Sequence, residues 1–316
     1  MISVLSVVGP IFALVALGYV SVRLRLFPAE GVSGLISFVN NFATPCLLFQ
    51  AMLTVDFSTA FNPRYLLSFY IGAFACFFVG FLIARYVFRR RAGESVAVAF
   101  SAYFTNTILL GLPIIQRAYG DEALPYLFAI VGFHAPILMS FGMLVMEFAR
   151  RDGAPMKAAL IQSLSKVVRN PLLIGITLGI TANLSGIDLP EVVDVATQMM
   201  ATAVLPAALF GLGGALNQYK LRESWQQALV SSLLKLCLHP AIALVLCHYV
   251  FGLPWEMTRV AVLTAAMPSG LNVYIFATFY NRSTDIAANT ILQSTVLGVV
   301  TISTWLLLLE YLAARL

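Results

Sequence analysis

The chain has 316 residues, of which 60% are hydrophobic and only 10% charged, and its mean hydropathy is +0.90. That is too little polar surface to cover a water-soluble domain of this length, so the chain reads as an all-α integral membrane protein. The net charge of +5 does not indicate a nucleic-acid partner, because the basic residues lie in short connections between apolar runs and there carry topology information.

Apolar stretches long enough to cross about 30 Å at about 1.5 Å per residue run at residues 2–22, 31–53, 64–88, 94–117, 122–149, 170–186, 190–216, 224–251, 256–280 and 284–313. Ten transmembrane helices are therefore expected. The first run has no basic residue before it and no small-residue cleavage site, so it reads as a retained helix rather than a signal peptide. The longest hydrophilic segment carries Arg150, Arg151, Lys157, Lys166 and Arg169. It divides the chain into a first five-helix repeat (1–150), a cytoplasmic linker (151–169) and a second five-helix repeat (170–316).

Fourteen Lys and Arg residues fall in the odd-numbered connections and four on the opposite side, which orients the protein with both termini away from the cytoplasm. An odd number of helices per half makes a duplicated chain an inverted repeat. Traces of duplication are visible. At an offset of 161, Pro10, Leu17, Gly18, Pro45, Leu48 and Phe49 meet Pro171, Leu178, Gly179, Pro206, Leu209 and Phe210. At an offset of 163, Tyr86-Val87-Phe88 meets Tyr249-Val250-Phe251 and Glu147 meets Glu310.

The fourth stretch of each half is interrupted. Thr105-Asn106-Thr107-Ile108-Leu109-Leu110-Gly111-Leu112-Pro113 breaks helix four, and Met267-Pro268-Ser269-Gly270-Leu271-Asn272 breaks helix nine. Pro113 is expected to free the Leu109 carbonyl and Pro268 that of Thr264, with Gly111 and Gly270 adding backbone freedom. Each break exposes amides at one half-helix end and carbonyls at the other. If helices four and nine cross at their breaks, both positive ends converge on one mid-membrane point suited to an anion. Asn106 and Asn272 add amide groups there. Proline kinks that are only structural are common in membrane helices, but two breaks in corresponding places favour a transport site.

These residues resemble a family. Asn106-Thr107 with Gly111-Leu112-Pro113, the run Ala265-Ala266-Met267-Pro268-Ser269-Gly270-Leu271-Asn272-Val273-Tyr274, the opening Gly9-Pro10-Ile11-Phe12 with Leu17-Gly18-Tyr19, and Thr44-Pro45-Cys46-Leu47-Leu48-Phe49 are similar to the auxin efflux carrier family. That family stands within the bile acid/arsenite/auxin transporter group, and its bacterial members include malonate and malate permeases. The resemblance implies two inverted five-helix repeats with broken, crossing helices four and nine. It also implies a scaffold of helices one, two, six and seven, a moving transport unit of helices three to five and eight to ten, and a homodimer formed through the scaffold. A multi-pass protein of the bacterial inner membrane follows from it, carrying mono- or dicarboxylates or auxin-like acids by an elevator-type motion. The chain lacks the long cytoplasmic loop of the canonical-length plant carriers, so plant-style regulation is not implied.

The substrate-binding set expected on these grounds is Asn106, Thr107, Gly111, Pro113, Pro268, Ser269, Gly270 and Asn272, joined by Asn41 if it faces the cavity from the scaffold. The alternative for Asn40 and Asn41 is helix-to-helix hydrogen bonding. Glu94, Glu147, Glu223, Glu256 and Glu310 all lie near helix ends, so neither a carboxylate proton relay nor a sodium site with acidic ligands is expected. Lys235 lies deep in helix eight with His239 at i+4 on the same face. It either attracts the anion, occupies a cation's place, or snorkels to the interface if helix eight starts late. His134 in helix five either titrates or hydrogen-bonds a neighbouring helix. Cys46, Cys76, Cys237 and Cys247 have no metal-ligand spacing and read as packing residues. Gly175, Gly179 and the run Gly211-Leu212-Gly213-Gly214 read as sites of close helix packing. No metal or cofactor is expected. An anion channel and an intramembrane enzyme are the competing functions, but neither a filter repeat nor a catalytic motif is present.

Overall fold

The computed structural model describes residues 4–53, 62–150, 171–186, 189–217 and 224–315. The whole of the expected linker, 151–169, lies outside them, as do Lys220 and Arg222. The described residues are all-helical apart from turns and one isolated bridge. In chain order the helices are α1 (Val4–Arg23), α2 (Ala29–Leu53), α3 (Pro63–Val87), α4 (Ala92–Tyr103), α5 (Leu112–Tyr119) and α6 (Leu124–Arg150). Then come α7 (Pro171–Ser185), α8 (Glu191–Leu216), α9 (Trp225–Val250), α10 (Trp255–Ala265), α11 (Asn272–Tyr280) and α12 (Thr284–Ala313). Seven of these, α1, α2, α3, α6, α8, α9 and α12, are long and apolar enough to cross a bilayer. Large apolar side chains such as Leu17, Leu82 and Val300 point outward, as a lipid-facing surface requires.

Local signals place the helix starts. Pro63 opens α3 where a missing N–H is harmless, and the Asn62 side chain accepts the Arg64 amide at 3.0 Å. Glu94 accepts the Arg91 amide at 3.0 Å in the first turn of α4, where the helix dipole favours negative charge.

The helices pack in two groups. In the first, α1 lies along Val204–Leu216 of α8, which also meets Ala29–Phe38 of α2, while α7 lies along Thr44–Leu53 of α2 beside Glu191–Thr202. Glycines set these contacts. A Cβ on Gly18 would sit 2.1 Å from the Phe210 carbonyl oxygen, and one on Gly179 would sit 2.6 Å from that of Phe49. The two contacts exchange partners at the 161-residue offset, since Gly18 and Phe49 of one half meet Phe210 and Gly179 of the other. Gly175 and Gly213 approach the Pro45 and Val15 carbonyls equally closely, so the expected close-packing role holds for both glycine runs.

The second group, α3 to α6 with α9 to α12, is filled by aromatic rings. Phe100 of α4 stacks on Phe276 of α11 with centroids 3.8 Å apart, and Phe77, Tyr103 and Phe141 pack edge to face or tilted beside them. The groups meet where residues Thr107–Gly111 lie against Val204–Leu216, and where α1 touches α5 and α12.

Hydrogen bonds in this second group recur at an offset of 163. The Phe88 amide donates to Ile83 O and the Arg90 amide to Ala84 O; the Phe251 amide donates to Leu246 O and the Leu253 amide to Cys247 O. Ser95 and Ser101 hydroxyls donate to Arg91 O and Ala97 O, and Thr258 and Thr264 hydroxyls donate to Pro254 O and Val260 O. Both sets of π-type turns, Ile83–Val87 and Val245–Val250, close α3 and α9 in the same way.

Candidate functional site at the crossing

The backbone leaves the helix after Tyr103, runs extended at Phe104 (φ −81°, ψ 114°) and re-enters through a π-type turn, Thr107–Gly111, ahead of α5. In the second half, α10 stops at Ala265 and α11 begins at Asn272. The two open stretches pair with each other as an antiparallel bridge between Thr105 and Ser269. The Asn106 amide donates to Pro268 O at 2.8 Å, and the Gly270 amide donates to Phe104 O at 3.2 Å. These two bonds are related by a local two-fold through the bridge. In a medium without water each break supplies the donors and acceptors that the other lacks.

Neighbouring spans hold the bridge. The Thr105 amide donates to His134 Nε2 of α6 at 3.1 Å, and the Ser269 amide to Ser294 Oγ of α12 at 3.2 Å. The Ser269 hydroxyl donates to Ser101 O of α4 at 2.7 Å. His134 Nε2 is the acceptor in this bond, so His134 does hydrogen-bond a neighbouring helix, one of the two roles expected for it. Ser101 and Ser294 were not singled out from sequence. Their signal was faint: small hydroxyls inside apolar spans, one of them matching Thr264 at the repeat offset.

Asn106 is buried, and its Oδ1 accepts the Leu109 amide at 3.1 Å. Its amide orientation is thereby set, and the NH2 group is left buried with no partner. The Thr105 hydroxyl is likewise buried and unpartnered. Thr107 and Gly111 are buried in the π-type turn, and Asn272 heads α11 half-buried. Among the described residues the buried polar and charged set contains no Asp or Glu, and its one formally cationic side chain is Lys235.

Five residues refine the sequence reading. Pro113 stands in the first turn of α5 and does not make the break, which begins upstream at residue 104. The Thr264 carbonyl is not freed by Pro268, since the Met267 amide donates to it at 3.2 Å. Gly111 has helical backbone angles (φ −63°), so its contribution is space: a Cβ there would lie 3.3 Å from Asn106 O and 3.4 Å from Met267 Cγ. A Cβ on Gly270 would make only ordinary contact, 3.4 Å from Thr105 O. Asn41 lies on α2, in the other helix group, with an exposed side chain that donates to Ser37 Oγ at 3.0 Å.

Lys235 does not snorkel. It is fully buried in a π-type turn of α9, and its Nζ donates to Ala265 O, the last carbonyl of α10, at 2.5 Å and to His239 Nδ1 at 3.2 Å. His239 Nε2 donates to Phe69 O of α3 at 3.0 Å, which leaves Nδ1 as the acceptor.

Two crossed, interrupted helices inside an all-helical, lipid-facing bundle define a multi-pass membrane transport protein. The sequence profile of a family described as membrane transport protein matches residues 3–306. The chain is 24% identical to auxin efflux carrier component 8 of Arabidopsis thaliana over 97% of both proteins. It is 24% identical to a Rhizobium meliloti (strain 1021) protein named "Putative malonate transporter", over 98% of this chain and 97% of that one. A 26% identity to the lysosomal cholesterol signaling protein of Mus musculus covers 96% of this chain but 37% of the mouse protein. The chain belongs to this family, that of the auxin efflux carriers, and is a transporter rather than an enzyme.

Proposed function

We propose that the protein is a secondary transporter of small organic anions, mono- or dicarboxylates of malonate or malate size, whose negative group is received at the Thr105–Ser269 crossing. The observation that carries this reading is the buried, unpartnered NH2 of Asn106 beside a bridge around which, among the described residues, no acidic side chain is buried. A donor with no acceptor in a dry interior calls for an anionic guest, and the amide ends of the half-helices add partial positive charge. The name of the Rhizobium relative supports the dicarboxylate class.

The seven long helices, α7 and the pairs α4/α5 and α10/α11 make up ten crossings in this reading, as two inverted repeats. The hydrogen bonds that recur at 163, the partner exchange at 161 and the two-fold bridge support it. The glycine-tight group α1, α2, α7 and α8 is the scaffold, through which two copies associate, and the aromatic-filled group is the moving unit. Its motion by one elevator-like step past Val204–Leu216 gives alternating access. The membrane is the bacterial inner membrane, with both termini outside the cytoplasm.

The test uses purified protein in detergent and a thermal-shift panel of carboxylates, since a ligand that binds the folded state raises its apparent stability. Asn106→Asp keeps an oxygen for the Leu109 amide and therefore the turn, but removes both NH2 donors and adds a negative charge. We expect a folded protein with a lowered melting temperature, because the carboxylate is buried, whose malonate affinity falls by roughly 1.5–3 kcal/mol, about ten- to a hundredfold. Unchanged affinity would place the anion elsewhere.

A further inference from the structure

We propose that Lys235 is a tethered cation: its ammonium takes, from a side chain, the place that a free alkali ion would hold at the carbonyl end of α10, so that the carrier binds its anion without sodium. This deepens the anion-carrier reading and rests on it. Carriers built on broken helices place coupling cations at half-helix carbonyl ends, where the dipole is negative. Here that end is Ala265 O, and it is occupied by Lys235 Nζ at 2.5 Å.

Both groups facing the ammonium are neutral acceptors. Ala265 O is a carbonyl, and His239 Nδ1 is a lone pair because Nε2 is committed to Phe69 O. From the other elements packed around it come Cys76 of α3, whose Sγ donates to Leu234 O, and His134 of α6, which is tied to the Thr105 amide. None of these is a carboxylate, so the positive charge is not cancelled by the protein and is left for the substrate. The site is also built once only. At the repeat offset of 163, Lys235 and His239 fall on Gly72 and Cys76. Gly72 in turn makes room for the second-half pair, since a Cβ on it would lie 2.8 Å from His239 Cδ2. The backbone of the crossing is symmetric, and the charge is not.

The experiment compares wild type and Lys235→Ala by thermal shift in sodium, potassium or choline chloride at equal ionic strength, with and without malonate, and with added methylammonium. For wild type we expect the malonate shift to be the same in all three salts; a shift that needs sodium overturns the proposal. In Lys235→Ala without malonate, methylammonium or sodium should raise the melting temperature above choline, by entering the vacated place beside Ala265 O. No such rise in a folded variant overturns it. With malonate the variant should bind at least tenfold more weakly in choline and recover with methylammonium; wild-type affinity in choline overturns it. Should Lys235→Ala not fold, Gly72→Ala, which displaces His239, serves in its place: it should weaken malonate binding at least threefold in choline, and unchanged binding counts against the proposal. If malonate stabilises neither protein in any salt while methylammonium still stabilises Lys235→Ala, the substrate assignment fails and the tethered cation stands.

Discussion

The two interrupted regions share one backbone design and differ in side-chain chemistry. Each is opened within its span, each lends one amide and one carbonyl to the other across the Thr105–Ser269 bridge, and each has its bridge amide held by the following long helix, by His134 in α6 or Ser294 in α12. The first break leaves donors unpartnered at Asn106 and Thr105, whereas the second pairs both the amide and the hydroxyl of Ser269 and brings the Lys235 amine to the carbonyl end of α10. Backbone symmetry is what the bilayer demands, because unpaired amides there cost several kcal/mol. Side chains need not repeat that symmetry, and the proposed carrier needs one charged guest rather than two.

The largest expected effects test the shared design. Gly18→Ala and Gly179→Ala each drive a methyl group into a backbone carbonyl of the opposite half, which cannot move aside as a side-chain tip can. Both should lose about 3 kcal/mol or more, read as loss of the monodisperse peak and of the melting transition in detergent. If one half tolerates the change and the other does not, the halves are not equivalent in packing. Gly34→Ala, with nothing within 4 Å of the added carbon, is the neutral control.

A smaller effect should separate the two prolines. Pro268→Ala places a new N–H inside the break, where an unmatched buried donor costs about 1–3 kcal/mol. Pro113→Ala adds its N–H in the first turn of α5 and should cost under about 1 kcal/mol. Equal melting temperatures for the two variants would show that the break is held by the bridge alone.

The smallest effect concerns the bridge hydroxyls. Ser269→Ala gives up the hydroxyl bond to Ser101 O and should cost about 1 kcal/mol. Thr105→Val removes a hydroxyl with no partner at nearly constant shape and should leave stability within about 0.5 kcal/mol. A malonate-binding measurement on Thr105→Val then tells whether that hydroxyl serves the guest.

Much of the site was readable from residues because its parts are locally encoded. Asn106 with Gly111 and Pro113, and Pro268 with Gly270, mark places where helix propensity fails in an otherwise apolar run, and both breaks lie where those residues stand. The depth of Lys235 followed from counting residues along a span. What ended each half-helix was less readable. The break expected over Thr105–Pro113 opens at Phe104, within a residue of its expected start, but its pairing with Ser269 was not readable because that partner is not in the local sequence.

The amino-acid sequence alone established a membrane-embedded helical protein and the places of its interruptions, and its motifs carried the family likeness, since each depends on nearest neighbours in the chain and on the absence of water. Tertiary structure alone decided that the two openings pair through a Thr105–Ser269 bridge, that Asn106 gives its oxygen to the Leu109 amide and leaves its NH2 without a partner, that the Asn41 side chain bonds Ser37 on its own helix, and that Lys235 meets Ala265 O rather than the interface. The lysine contact and the bridge join residues 30 and 164 positions apart, and no local pattern states which buried donor will find which acceptor.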